Sequence, residues 1–362
     1  MLSNGTSSKA SKSALLVCLE FKQEKLHGGT LRTYATYKTL KELGYEVEVV
    51  QLNETSNEPR SNNLRKIKRT LFPLPFKKYR VTRKKILEVV LHKEISLVVC
   101  NWQPMMSACT KLNLPVWLDF MDDWKTISKN EVGEKNYVSK VPTILQGYLW
   151  KDRQKRYSKA SSTFLSCAGY ADSKNLSAKF LPTPVDRKVL SLNEDNRDFK
   201  RERFRLGFIG NFMYRPNRLG VEKFLKEFNL KKSKQLTFCI AGYSADEVSK
   251  DYIHNLGEVE NVYDFYKKID GVVCPIYNGG GIKVKAIEGM IYGFRVFATE
   301  HVMSGFPDNL QNFFNPIDDL DTLELDALIR RSKLTEEERI YVANYFSIEY
   351  FSSQVRELIC VE

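Results

Sequence analysis

The sequence predicts an α/β protein made of two Rossmann-like domains in tandem, facing each other over a cleft. Three observations carry this. Short apolar runs alternate with helix-like stretches from residue 13 onward, the pattern of parallel strands covered by helices. The alternation stops at a charged, apolar-poor stretch, 189–204 (VLSLNEDNRDFKRERF), and restarts beyond it. At 362 residues the chain is long for a single core, so two domains are expected.

Each element follows in order. Ala14–Phe21 (ALLVCLEF) reads as a strand. His27-Gly28-Gly29-Thr30 is a turn into an amphipathic helix over Leu31–Leu43, closed by Gly44 at its C-terminal cap. Tyr45–Leu52 is the next strand, Ile86–His92 a helix, and Ile95–Asn101 and Val116–Phe120 are strands. A helix around Ile144–Tyr157 and a strand at Ser162–Ser166 lead to the connector after Lys179–Pro182. In the second half Arg205–Ile209 is a strand, Gly220–Phe228 a helix and Leu236–Ala241 a strand. Ser244-Ala245-Asp246-Glu247 matches a capping box opening a helix. Val272–Pro275 is a strand, a helix begins near Ile282, and Arg295–Thr299 closes the set. Thr335-Glu336-Glu337-Glu338 is a second capping box, opening a final helix with Ile340, Val342, Tyr345 and Phe346 as apolar positions. The expected division is a disordered lead-in (1–12), a first domain (13–188), a linker (189–204), a second domain (205–334) and a C-terminal helix (335–362) packing back on the first domain.

Composition narrows the class. A hydrophobic content of 43% supports packed domains, and no run reaches the roughly 18 apolar residues that span a bilayer. The N-terminal stretch lacks the apolar core of a secretory signal. Seven scattered cysteines, Cys18, Cys100, Cys239 and Cys274 of them within strand-like runs, read as reduced, buried thiols with no metal-ligand spacing. The expected location is therefore the cytoplasm, and the sequons at Asn4, Asn53 and Asn175 carry no weight. Net charge is +12, and ten basic residues with no acid fall between Arg65 and Lys85, interleaved with Leu71, Phe72, Phe76 and Tyr79. Pro73 and Pro75 prevent one continuous helix there. An anionic membrane surface suits this patch ahead of nucleic acid, for which no module signature is present, and a solubilising loop is the plain alternative.

The segment Asn278–Glu288 (NGGGIKVKAIE) is the most informative. An apolar run, Gly271–Ile276, leads into three glycines and a helix start, where unpaired N–H groups and the helix dipole attract phosphate. Gly279, Gly280 and Gly281 let the backbone approach an anion closely. Lys285 and Glu288 are three residues apart on one helix face, suiting a diphosphate and ribose hydroxyls respectively, with Lys283 nearby. Ile282, Ala286, Gly289 and Gly293 form a neighbouring small, apolar face. A flexible glycine loop followed by a solvated helix face is the bland reading. A second strand ends in Gly210-Asn211, with Arg215 and Arg218 able to reach a phosphate; GxGxxG is absent.

Together, GFIGNFMYRPNRLGVEKFL (207–225) and VVCPIYNGGGIKVKAIEGMIYGFRVFAT (272–299) resemble the donor domain of GT-B-fold retaining glycosyltransferases, family 4-like (glycosyl transferases group 1). Asn255–Val259 with Val262-Tyr263 resembles the family's segment framing the nucleotide base, which brings in Glu258 and Val259. Leu181–Asp186 resembles its interdomain connector, with Thr183 and Pro184 replacing asparagine and glycine. Gly28-Gly29 resembles its acceptor-side glycine turn, and the final helix the one that returns onto the first domain.

The resemblance implies transfer of a sugar from a nucleotide-diphosphate sugar, UDP- or GDP-linked, with retention and without a metal. The implied acceptor is lipid-linked or a polysaccharide or other glycan, in cell-surface glycan synthesis at the inner face of a membrane. By position, Lys285 would hold phosphates, Glu288 the ribose, Gly279–Gly281 the pyrophosphate or sugar, and Gly210 and Asn211 the opposite side. Two departures stand out. Gly280 occupies the place of a glutamate found in many relatives, and Asn211 that of an arginine, leaving Arg215 or Arg218 as substitutes. Asp119–Trp124 resembles a D-x-H-D segment with Met121 at the histidine position; Asp122 or Asp123 could accept the acceptor's proton, or cap a helix. A non-catalytic partner subunit and a sugar-nucleotide epimerase are the alternative functions.

Overall fold

The computed structural model describes residues 12–24, 28–52, 76–133, 137–157, 159, 162–185, 203–228 and 235–359. The lead-in up to residue 11, the basic stretch over 65–75 and the linker over 189–202 lie outside them. The chain divides into two compact units: 1–167 with 176–181 and 351–362, and 168–175 with 182–350.

The first unit contains β1 (Lys12–Cys18), α1 (Gly28–Glu42), β2 (Tyr45–Gln51), α2 (Phe76–His92), β3 (Ile95–Cys100), α3 (Gln103–Cys109), β4 (Val116–Phe120), α4 (Trp124–Gly133), α5 (Tyr137–Tyr157) and β5 (Thr163–Cys167). The short α6 (Tyr170–Leu176) precedes its last strand, β6 (Lys179–Phe180). The strands form one parallel sheet in the order β2-β1-β3-β4-β5-β6. β1 and β3 are nearly continuous apolar runs because helices cover both faces, and Leu15, Val17, Val98, Cys100, Leu118 and Phe120 form the centre of the core. One charged network crosses this core. Arg32 of α1 holds Asp119 of β4 through two hydrogen bonds of 2.8 and 2.6 Å and donates to the Leu181 carbonyl at 2.7 Å. Ser166 and Trp117 extend it, so both charges are satisfied at almost zero exposure.

The second unit begins its sheet at β7 (Phe204–Ile209) and continues through α7 (Arg215–Glu227), β8 (Leu236–Ala241), β9 (Ile253–Asn255), α8 (Val262–Tyr266), β10 (Gly271–Cys274), α9 (Val284–Ile291) and β11 (Val296–Ala298). Shorter elements follow: α10 (Glu300–Met303), α11 (Asp308–Gln311), β12 (Phe314–Pro316), α12 (Asp319–Thr322), α13 (Leu325–Arg331) and α14 (Glu336–Tyr345). The last helix, α15 (Ile348–Ile359), carries the chain back into the first unit from Phe351, where Ser352 meets Thr39 at 2.9 Å and Glu357 pairs with Lys179. The parallel sheet runs β12-β11-β10-β7-β8-β9. Counted within the unit, that is 6-5-4-1-2-3, the strand order of a dinucleotide-binding Rossmann sheet. Its topological switch falls between β7 and β10.

Several local expectations change. Gly28 and Gly29 form the first turn of α1 rather than a turn before it. α2 starts at Phe76, directly after Pro75, ten residues before the expected Ile86. α7 likewise starts at Arg215, with Pro216 in its first turn, where the missing N–H costs nothing. Ser244 caps no α-helix: its backbone is left-handed (φ 56°), its side chain makes no cap bond, and only a 3-10 turn over Ala245–Val248 follows. α9 begins at Val284, so Ile282 precedes the helix, although it is buried, as is Ala286. Thr335 does form a capping box with Glu338, but α14 is not the final helix, and Ile340 on it is 48% exposed. The six described cysteines are free and buried.

Candidate functional site

The switch point of the second sheet collects the residues the sequence singles out. β7 ends at Gly210 and β10 runs into the Gly279–Gly281 loop. Gly220 brings the two arms together: a Cβ there would lie 2.1 Å from the Pro275 carbonyl oxygen, so α7 seats directly on the end of β10. In the loop, Gly279 (φ 109°) and Gly281 (φ 66°) adopt left-handed backbone that side chains other than hydrogen resist.

Lys285 lies in the first turn of α9. Its Nζ donates to Asn217 Oδ1 at 2.8 Å, and Asn217 Nδ2 donates to the Asn211 carbonyl at 2.8 Å. Gly210 leaves room for this chain, since a Cβ would meet Asn217 Nδ2 at 2.9 Å and Lys285 Cε at 3.4 Å. Phe208 gives the site an aromatic face, its ring centroid 5.1 Å from Lys285 Nζ. Asn217 is a residue the sequence reading missed; a polar side chain buried in the first turn of an amphipathic helix is the signal it offered. The Asn211 side chain itself is spent on a local turn to Met213 N.

Electrostatics set this site apart. Burial lowers the pKa of Lys285, and Lys283 adds repulsion. Burial also raises Glu288 from 4.5 to about 7, with Lys285 only partly offsetting it. Burial thus disfavours the charged forms of both Lys285 and the adjacent acid. An arriving anion would relieve the strain on the lysines. Tyr266 and Tyr292 stack at 4.2 Å beside Glu288, and the Tyr266 hydroxyl reaches the Lys285 carbonyl at 3.3 Å.

The glycine loop already holds one carboxylate. Gly281 N–H donates to Asp172 Oδ2 at 2.8 Å, and the Lys283 ammonium bonds the Gly280 and Gly281 carbonyls at 2.5 and 3.0 Å. His301 hydrogen-bonds the Gly279 backbone, and burial with Lys283 nearby lowers its pKa to about 4, so the ring is neutral. Its buried Nε2 has no partner among the described residues. Asp172 and His301 come from distant segments and carry no motif that spacing could reveal. Arg215 opens α7 on the exposed surface, and Arg218 is offset by Glu222 at 3.9 Å. Glu258 is exposed and Val259 half-buried after β9, beyond Gly257, whose carbonyl accepts from Gly242 N.

The first unit has its own concavity, a pocket of about 210 Å³ at the C-terminal ends of β1, β3 and β4, with Gly29 and Asp122 in its lining. Neighbouring Asp123 is not available to it. Fully buried, its carboxylate caps α4 by accepting from Lys125 N, Thr126 Oγ1 and Gln154 Nε2 at 3.1, 2.5 and 2.9 Å. Of the two aspartates, Asp122 lines the pocket. Among the described residues no group of three or more His, Cys, Asp or Glu is assembled that could hold a metal ion.

Residues 203–323 match the family described as glycosyl transferases group 1. No curated protein matches the chain. Among solved structures, sucrose-phosphate synthase from Thermosynechococcus elongatus superposes with a TM-score of 0.60 at 14% identity, over 96% of this chain and 98% of that one. Anabaena HepE in complex with UDP-glucose gives 0.61 at 12%, over 96% and 100%. The catalytic domain of starch synthase IV from Arabidopsis thaliana, bound to ADP and acarbose, gives 0.57 at 10%, over 97% and 99%. At such identities the superpositions establish the fold. With two parallel six-stranded sheets the chain has the GT-B fold, and residues 203–323 of its second unit match the group 1 glycosyltransferases.

Proposed function

We propose that the protein transfers a sugar from a nucleoside diphosphate sugar, UDP- or GDP-linked, to a glycan or lipid-linked acceptor with retention of anomeric configuration. The observation that carries this reading is Lys285, depressed in basicity, with Lys283 on the Gly279–Gly281 loop and an acid raised by burial beside it. As the bond from sugar to phosphate breaks, negative charge builds on the leaving diphosphate. Lysine charge and fixed N–H groups stabilise that charge more than the ground state, which is the binding that accelerates the step. Glu288 accepts from ribose hydroxyls, and Asn217 aims Lys285. Asp122, on the pocket of the first unit, takes the acceptor's proton. The charge on the leaving group is met by protein groups, without a metal.

Retention is tested by following the anomeric proton of the first-formed product by NMR; an inverted product refutes it. Peripheral association with an anionic membrane in cell-surface glycan synthesis completes the proposal. Among the described residues no helix is long and apolar enough to cross a membrane. α2 presents Lys78, Arg80, Arg83, Lys84 and Lys85, and α5 exposes Val141, Ile144, Leu145 and Tyr148 at helical spacing. Flotation with phosphatidylglycerol vesicles, lost when the α5 residues become serine, is the expected result; equal flotation of both proteins refutes it. Met121 at the histidine position and the committed Asp123 favour a second reading, a nucleotide-binding subunit active only with a partner. Donor hydrolysis by the isolated chain counts against that.

A further inference from the structure

We infer that the pocket of the first unit holds an uncharged sugar ring of the acceptor, read through its hydroxyl groups, and rejects phosphate and carboxylate; this rests on the transferase reading above. The inference starts from two amide side chains in the pocket lining, Asn101 and Gln103, which are 5% and 3% exposed. Among the described residues, neither Asn101 Oδ1 nor Gln103 Oε1 has a hydrogen-bond partner.

Their orientations are determined by what the amide nitrogens do. Gln103 Nε2 donates to the Asp122 carbonyl at 2.5 Å, an atom that can only accept. Asn101 Nδ2 donates at 3.0 Å to Thr33 Oγ1, whose own proton is spent on the Gly29 carbonyl. Flipping Gln103 would set two acceptors against each other, and flipping Asn101 would take the Thr33 proton from the Gly29 carbonyl. In this arrangement the oxygens are the unpaired atoms, and an arriving donor would satisfy them.

The rest of the lining has the same bias. Glu20 and Asp122 add carboxylate oxygens, and among the described residues no Lys, Arg or His lines the pocket; the charge of Glu20 is met outside it by Lys22 at 2.7 Å. Trp102 and Trp124 supply apolar ring surface. A lining rich in acceptors with aromatic faces fits a ligand that brings donors and C–H surface, which describes a neutral pyranose. A phosphate or hexuronate would bring acceptors to acceptors and meet no cation. Two lysines, Lys283 and Lys285, stand instead at the second unit's switch point.

The test uses the full chain with UDP or GDP, whichever raises its melting temperature, and saturation-transfer NMR. The probes are the methyl glycosides of glucose, galactose and N-acetylglucosamine, set against glucose 6-phosphate and methyl glucuronide. At least one neutral glycoside is expected to bind, with signal falling by about fivefold or more for each lost hydrogen bond in Asn101→Val and Gln103→Met. The nucleotide-dependent melting shift shows that each variant is folded. Preferential binding of the anionic probes, absence of any neutral binding, or unchanged binding in both variants overturns the inference while leaving the transferase reading intact. Absence of a nucleotide shift in the wild type overturns that reading itself, and this one with it.

Discussion

Replacing Glu288 with glutamine should make the protein more stable and a poorer nucleotide binder, and the gain should depend on pH in a defined direction. Burial raises the carboxyl from 4.5 to about 7 in the folded state, against the opposing field of Lys285, with Tyr266 and Tyr292 as its other close neighbours. A folded-state value above the unfolded one means that folding favours the protonated acid. The stability linked to this group is complete below about pH 4.5 and is lost as pH rises through about 7. A shift of that size corresponds to a ceiling of roughly 3 kcal/mol. Glutamine keeps the shape and cannot ionise. The variant's advantage should therefore be small at pH 5 and grow toward about 3 kcal/mol at pH 8, a melting difference of about 6–12 °C for a unit of this size. Thermal denaturation of both proteins at pH 5, 6, 7 and 8 reads it directly. A constant difference across that range would refute the argument, because it would mean that the carboxylate does not titrate in the folded site. The expected cost is a reduced nucleotide-induced melting shift, since glutamine presents one acceptor and no charge to the ribose.

Other perturbations separate architecture from chemistry. Gly220→Ala should destabilise the second unit by more than about 3 kcal/mol, because its Cβ would stand 2.1 Å from a strand carbonyl; near-wild-type denaturant unfolding would contradict the close seating of α7. Asp123→Ala should cost about 1–3 kcal/mol of stability through the lost cap of α4, whereas the main effect of Asp122→Asn should be a lower kcat for transfer. The reverse pattern would exchange their roles. Arg32→Leu should cost about 3–5 kcal/mol by leaving Asp119 charged and unpaired in the core, and Arg32→Leu with Asp119→Leu should recover part of it; additive losses in the double variant would show that the pair is not coupled.

The sheet strands were legible because helices bury both of their faces and force apolar runs; Val116–Phe120 and Leu236–Ala241 match to the residue. Helix beginnings were less so. α2 and α7 start among charged residues and prolines, where apolar periodicity is silent although proline in the first turn is favourable. Ser244 shows the opposite failure: the capping pattern is present, but a left-handed backbone turns the side chain away from the cap. At the site, the glycines, Lys285 and Glu288 were legible because their chemistry is concentrated in eleven consecutive residues. Asn217, Asp172 and His301 were not, since only the folded sheet brings them to the loop. Nor does spacing reveal that Asp123 caps α4 while Asp122 lines the pocket.

The central claim is that the switch point of the second sheet binds a nucleoside diphosphate through Lys285. Isothermal titration of UDP, GDP, ADP and dTDP into wild type and Lys285→Ala, with unfolding of both proteins as the control, tests it most directly. The account predicts saturable one-to-one binding of at least one diphosphate by the wild type. It predicts a loss of about tenfold or more in Lys285→Ala, the removal of one charge-assisted phosphate contact, from a variant that remains folded. Binding of none of the four, or equal affinity in the two proteins, would contradict it.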